Sequence, residues 1–164
     1  MTADHFITHL QLQPHPEGGF FKETYRSSGI IPSQSLTDFN GDRHYSTAIY
    51  FLLEQGNFSA FHRIKSDECW HFYEGDTLLI HVIDNKGNYS CTRLGRKIDE
   101  GEMFQFVVPA GCWFASETAP ETPFTLVGCT VAPGFDFADF EMANAENLSK
   151  EYPQHESLIR SLCR

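Results

Sequence analysis

The chain lacks any run of lysines or arginines, and acidic side chains outnumber basic ones by 22 to 12. The resulting formal net charge of -10 argues against sequence-independent binding to DNA or RNA, which needs a basic surface to displace counterions. It argues equally against docking on an anionic membrane. No stretch approaches the roughly 20 consecutive apolar residues of a membrane helix. The opening MTADHFITHL has neither a basic n-region nor an apolar h-region, so no secretory signal is expected and the cytoplasm is the expected compartment. No CxxC occurs. Cys69, Cys91, Cys112, Cys129 and Cys163 are odd in number and widely spaced, so buried free thiols are expected, with a zinc site or catalytic thiol as the alternative. Internal repeats and low-complexity segments are also missing.

What is present is phenylalanine, in 15 copies, so aromatic packing should dominate the interior. The 164 residues suit one well-buried core and are short for two. We expect a single domain over residues 1–164, with a β-barrel from about 19 to 142 and a helical tail over 143–164. Thr2 can cap a short helix whose Phe6, Ile7 and Leu10 share one side, with Pro14 ending it. The segment PHPEGG must turn. FFKETYR, Phe20 to Arg26, reads as a strand, and 27–42 as a long loop. Strands then follow at 45–53, 57–64, 68–73, 77–84, 89–94, 103–108, 112–117 and 124–132, divided by turn signals. Asn85 to Asn88 is a strong hairpin turn. NAENLSKEY and PQHESLIRSL read as two helices, the second with Pro153 at its first position. Many short, evenly spaced strands imply a sandwich or barrel.

One stretch carries chemistry. In GNFSAFHRIKSDECWHFYEG, Gly56 to Gly75, the residues match G-x5-HxH-x3or4-E-x6-G, the first motif of the cupins, at four of five positions. His62 and Glu68 hold two of the motif's ligand positions, and Ile64 stands where the second histidine would be. Strands alternate their side chains with period two, so His62 on one strand and Glu68 on the next should meet in the lumen. Trp70 and Phe72 share the parity of Glu68 and should line the same wall. GEMFQFVVPAGCWFAS resembles the second cupin motif, with Pro109 and Gly111 in its PxG core and Phe114 in the place of histidine. Together with LQPHPEGGFFKETYRS and VAPGFDFADFEMA, these blocks resemble one small branch of the cupins that is grouped as a domain of unknown function. The resemblance spans nearly the whole chain. It implies a mainly β, double-stranded β-helix (jelly-roll) barrel of the kind found in nucleotide-sugar epimerases, germins and auxin-binding proteins. Because Ile64 and Phe114 replace two of the four usual metal ligands, no metal and no other cofactor is expected.

Site candidates follow from charge, parity and turn chemistry. A carboxylate facing an aromatic lumen is costly unless it is paired or functional, which singles out Glu68; a salt bridge to Arg63, Lys65 or Arg26 is the alternative. His62 is either a proton-transfer partner of Glu68 or a core histidine bonded to it. Tyr25 and His71 could assist, although His71 has the opposite parity to Glu68. In PHPEGG, His15 and Glu17 adjoin Gly18 and Gly19, a pair that either lets backbone approach a ligand or only turns. Glu23 and Tyr25 share a strand face, with the Arg26 guanidinium nearby. Gln105 could orient a polar ligand, and Trp113 could line the site or fill the core. His81 reads as a partly exposed structural histidine, and Asp136 as a turn-former or site residue.

The expected function is to hold a small polar molecule in the lumen. A metal-independent epimerase or isomerase acting on a sugar-type substrate would use His62 with Glu68 as acid and base. A non-catalytic binder is the alternative, and a metal-dependent oxygenase is disfavoured by the missing ligands. A homodimer is expected, because the 27–42 arm and an exposed sheet edge invite a second copy.

Overall fold

The computed structural model describes all residues, Met1–Arg164. Helix α1 (Ala3–Leu10) begins where the Thr2 hydroxyl accepts a hydrogen bond from the His5 backbone N–H at 3.3 Å. It ends before Pro14, at Gln11, whose left-handed conformation turns the chain away. Thirteen strands follow in chain order: β1 (Gln13–Pro14), β2 (Phe20–Arg26), β3 (Ile30–Ile31), β4 (Arg43–His44), β5 (Thr47–Glu54), β6 (Phe58–Arg63), β7 (Asp67–Gly75), β8 (Leu78–Ile83), β9 (Tyr89–Leu94), β10 (Gln105–Val108), β11 (Trp113–Thr118), β12 (Phe124–Ala132) and β13 (Glu141–Met142). The nine long strands expected from the sequence all form, with ends displaced by two residues at most.

The strands make two antiparallel sheets of a jelly roll, ordered β1-β2-β5-β12-β7-β10 and β13-β6-β11-β8-β9. Inward residues of both sheets, among them Phe51, Trp70, Ile80, Phe114 and Val127, form the largest apolar cluster. Burying each such side chain stabilises the fold by about 1.5–3 kcal/mol. Helix α1 covers the outer side of the first sheet at Leu52, Phe124 and Leu126. Two C-terminal helices, α2 (Ala145–Glu151) and α3 (Glu156–Ser161), cover the second sheet through Leu148, Ile159 and Leu162 against Phe61, Ile83 and Trp113. No helix is long and apolar enough to cross a membrane.

Three expectations are corrected. The 27–42 segment is not an open loop: Ile30 and Ile31 pair with His44 and Arg43, closing a small ribbon around a 3-10 turn at Ser33–Ser35. Arg43 at its base is buried and forms a two-pronged ion pair with buried Asp139, Nε–Oδ2 2.6 Å and Nη2–Oδ1 2.7 Å. Pro153 opens a 3-10 turn, Pro153–His155, and the last α-helix starts only at Glu156. The thiols are free, but only Cys112 and Cys129 are buried; Cys69 and Cys163 are half-buried and Cys91 is exposed.

Candidate functional site

A cavity of about 310 Å³ opens between the sheets. By the volume of liquid water, that is room for about ten molecules. Its floor is polar. His62 from β6 and Glu68 from β7 line it, as do His15 and Glu17 from the turn between β1 and β2, and Cys129 from β12. The walls are apolar, with Phe21, Ile49 and Val131 contributed by strands and Ile64 by the residue just after β6. The mouth is formed by Phe135, Asp136, Phe137 and Phe140 after β12, together with Glu23, Arg26 and Thr47.

The partner of His62 is Glu17, not Glu68. His62 Nε2 lies 3.0 Å from Glu17 Oε2, and its Nδ1 is 2.7 Å from the Ala60 carbonyl oxygen. That carbonyl can only accept, so Nδ1 carries a proton. Burial pushes the imidazole down to about 3 and raises Glu17 well above the usual carboxylate range, with the neighbouring Glu68 charge adding to the rise. The pair is therefore neutral. Glu17 holds its proton and donates it in a hydrogen bond to Nε2. His15 is held down to about 4 by burial, and its Nδ1 accepts the Glu17 backbone N–H at 3.3 Å. Two aromatic rings, Phe114 at 4.0 Å and Phe140 at 5.2 Å between centroids, press on His62.

Glu68 is different. It is 8% exposed, and burial pushes its carboxyl up to about 7, opposed only by the Cys129 thiol beside it. The cations that could have bridged it are engaged elsewhere. Arg63 binds Glu141, Lys65 binds the Asp38 carbonyl, and Arg26 binds Glu23. Burial and the Glu68 charge raise Cys129 well above the ordinary thiol value, so it stays protonated.

Two donors pin the turn that delivers Glu17. The Ala60 N–H donates to the Glu17 carbonyl at 2.9 Å, and Arg164 Nε donates to the same oxygen at 3.2 Å. Gly18 and Gly19, with φ of 115° and 76°, lie so close to the Phe58 and Leu52 carbonyls that a Cβ would collide with them. They make the turn and do not line the cavity. Glu23 and Arg26 do line it, joined by hydrogen bonds of 2.6 and 3.0 Å. A bulge at Thr24 breaks the alternation between Glu23 and Tyr25. It brings Arg26 inward opposite Thr47 and sends Tyr25 outward, where it is exposed.

Other candidates lie away from the cavity. His71 faces the outside of the sheet and bonds Thr130 Oγ1 at 3.1 Å and Gln105 Nε2 at 2.8 Å, which accounts for Gln105 as well. Trp70 points inward but fills the core against Phe51 and Phe114. Phe72 packs at the edge of that core beneath Arg96. Trp113 belongs to the cluster under the C-terminal helices, with Arg63 over its ring at 4.4 Å. His81, also outside the cavity, is buried against Tyr89 and Glu117. Asp136 both lines the mouth and caps a 3-10 turn through the Ala138 N–H. The sequence reading missed Cys129 and Val131, although strict alternation along β12 points both inward. It also missed the Phe-rich rim, whose signal was the FDFADF composition.

Cupin sites commonly suggest a metal, and these residues do not fit one. Ile64 and Phe114 offer no lone pair at two of the expected positions. Both nitrogens of His62 are committed, to Ala60 and Glu17. The His, Cys and Glu side chains on the floor are not arranged so that three of them could hold a metal ion.

A family described as "Cupin superfamily (DUF985)" matches residues 4–143. Protein SO0799 from Shewanella oneidensis is 41% identical, with a TM-score of 0.89 over 100% of this chain and 98% of its own. A hypothetical protein from Leishmania major is 36% identical, with a TM-score of 0.91 over 99% of each chain. The uncharacterized protein YML079W of Saccharomyces cerevisiae is 30% identical over 86% of this chain and 75% of that protein. Oxalate decarboxylase from Bacillus subtilis shares the fold alone, at 14% identity and a TM-score of 0.55 over 91% of this chain and 36% of the enzyme.

Proposed function

The chain belongs to the DUF985 family of the cupin superfamily, and on that premise we propose that its lumen binds a small polar molecule and that Glu68 moves a proton on it. The observation that carries the reading is the Glu68 carboxyl, buried on the cavity floor with no cation and no N–H or O–H donor from the protein. A group so placed has its hydrogen-bonding capacity free for whatever enters. Held to about 7 by burial, it can take and return a proton near neutral pH. The reaction would be of epimerase or isomerase type: in an isomerisation Glu68 takes a C–H proton and returns it to the neighbouring carbon, while an epimerisation needs a second acid on the opposite face. Glu17 and His62, locked together, would orient the ligand rather than exchange protons. No step is routed through a metal.

Binding without chemistry is the second reading, and the same Glu17–His62 pair favours it. A proton transfer on two faces of a carbon needs an acid as well as a base, and the histidine that could have served is capped by Glu17. One experiment separates the two. Mass spectrometry of small molecules that copurify with the full chain supplies a ligand, which is then incubated with the protein in deuterated water. The enzyme reading expects deuterium at one carbon by NMR, lost in Glu68→Gln. Exchange undiminished in Glu68→Gln removes Glu68 from the chemistry. A bound ligand that never exchanges leaves a binding protein.

A further inference from the structure

Resting on the reading of this lumen as a ligand site, we infer that the molecule it holds is cationic, a small amine or quaternary ammonium with an apolar body. The charge balance of the lining points there. The only cation that reaches the cavity is Arg26, and its guanidinium is neutralised by Glu23, giving three of its five N–H groups to both Glu23 oxygens and to the Phe135 carbonyl at 3.2 Å. Arg43 lies just beyond the rim and is bound to Asp139. The two histidines are uncharged. An anionic ligand such as a sugar nucleotide would enter with no free positive group to meet it, and would face Glu68 within and Asp136 at the mouth.

A cation meets the reverse. The Glu68 carboxyl, with only a thiol beside it, would gain the counter-charge that the protein withholds. The rim supplies ring faces. Phe135 and Phe137 are 5.0 Å apart at 80°, Phe137 and Phe140 are 5.9 Å apart at 71°, and Phe135 and Phe140 are 6.3 Å apart at 73°. The three rings pack edge to face, and Phe137 is 56% exposed at the mouth. An ammonium group entering past Phe137 would meet aromatic surface, which attracts cations. The rim rings are all phenylalanine and carry no hydroxyl or N–H, so they favour charge and apolar contact over the hydrogen bonding a polyhydroxy compound needs. A cation near Glu68 would also keep that carboxyl ionised, the form that accepts a proton.

The test uses four probes of similar size on the full chain at pH 7: benzylamine, benzyltrimethylammonium, benzyl alcohol and benzoate, titrated by calorimetry and by NMR. We expect the two ammonium probes to bind at least about tenfold more tightly than benzyl alcohol, and benzoate more weakly still. Glu68→Gln should erase most of that preference while leaving benzyl alcohol little changed. Benzyltrimethylammonium carries no titratable proton. Its binding should release protons to the buffer as Glu68 ionises, since the other groups facing Glu68 are the proton-retaining Glu17 and Cys129 and the neutral His15 and His62. Benzyl alcohol or benzoate binding as tightly as the ammonium probes would overturn the inference and leave the pocket reading standing. No binding by any probe, with cavity resonances unmoved, would overturn both.

Discussion

The ion pair of Arg43 with Asp139 shows how much one buried contact can fix. Both side chains are 4% exposed, and two short hydrogen bonds join them across 96 residues of sequence. Removing one partner leaves the other buried and charged, which costs about 3–5 kcal/mol. Arg43→Met should lower the urea midpoint accordingly, and the double change Arg43→Met with Asp139→Leu should recover part of the loss. A single variant within about 0.5 kcal/mol of wild type would show the pair to be dispensable. The floor of the cavity has the opposite economy. Glu68 has a folded value of about 7 above an ordinary 4.5, so its carboxyl favours the fold at low pH and that contribution is lost as pH rises through about 7. Glu17 acts in the same direction. His62 and His15, held at about 3 and 4 below an ordinary 6.5, favour the fold at higher pH. Two carboxyls and two imidazoles therefore offset one another between roughly pH 4.5 and 6.5. Above that window only the carboxyl terms remain, and stability should fall with pH. Urea unfolding at pH 5, 6 and 8 should show a plateau and then a decline. Glu68→Gln should be more stable than wild type at pH 8 by about 1–3 kcal/mol. An unchanged or lower stability there would mean that Glu68 is not the strained group.

At the scale of elements, the turn between β1 and β2 decides whether the site exists. Gly18 sits at φ 115° against the Phe58 carbonyl. Gly18→Ala must either shift β6 or withdraw the turn, with an expected cost of about 2 kcal/mol or more. Once Glu17 is loosened, His62 should titrate nearer its ordinary 6.5, visible in its ring resonances. A His62 that stays neutral down to pH 4 in this variant would show the turn to be less coupled to the site. The same element marks where the sequence could be read and where it could not. His62 and Glu68 were legible because strand period and motif spacing agree. Glu17 was legible only as an acidic residue beside two glycines, because nothing local says that a turn will fold back onto β6 and place a carboxyl 3.0 Å from a histidine. The Thr24 bulge defeated parity in β2, since one extra residue exchanges the inward positions and put Tyr25 on the wrong side. His71 kept its parity and so stayed outside.

Taken as a whole molecule, the strand succession was legible almost end to end, because alternation and turn residues are short-range signals. The rim and the buried ion pairs were not, because they join segments far apart in the chain. The cavity depends on such distant pieces. The Glu17 carbonyl accepts from Arg164, 147 positions later. Time gives this feature a further meaning. At a translation rate of about 5–20 residues per second, on the order of ten seconds separate the synthesis of that carbonyl from the synthesis of the guanidinium that secures it. The sheets have most of their partners before then, so a nascent chain can hold its sandwich shape while the floor of its pocket is still loosely held. Competence to bind would thus come later than the sandwich shape, as an event of its own.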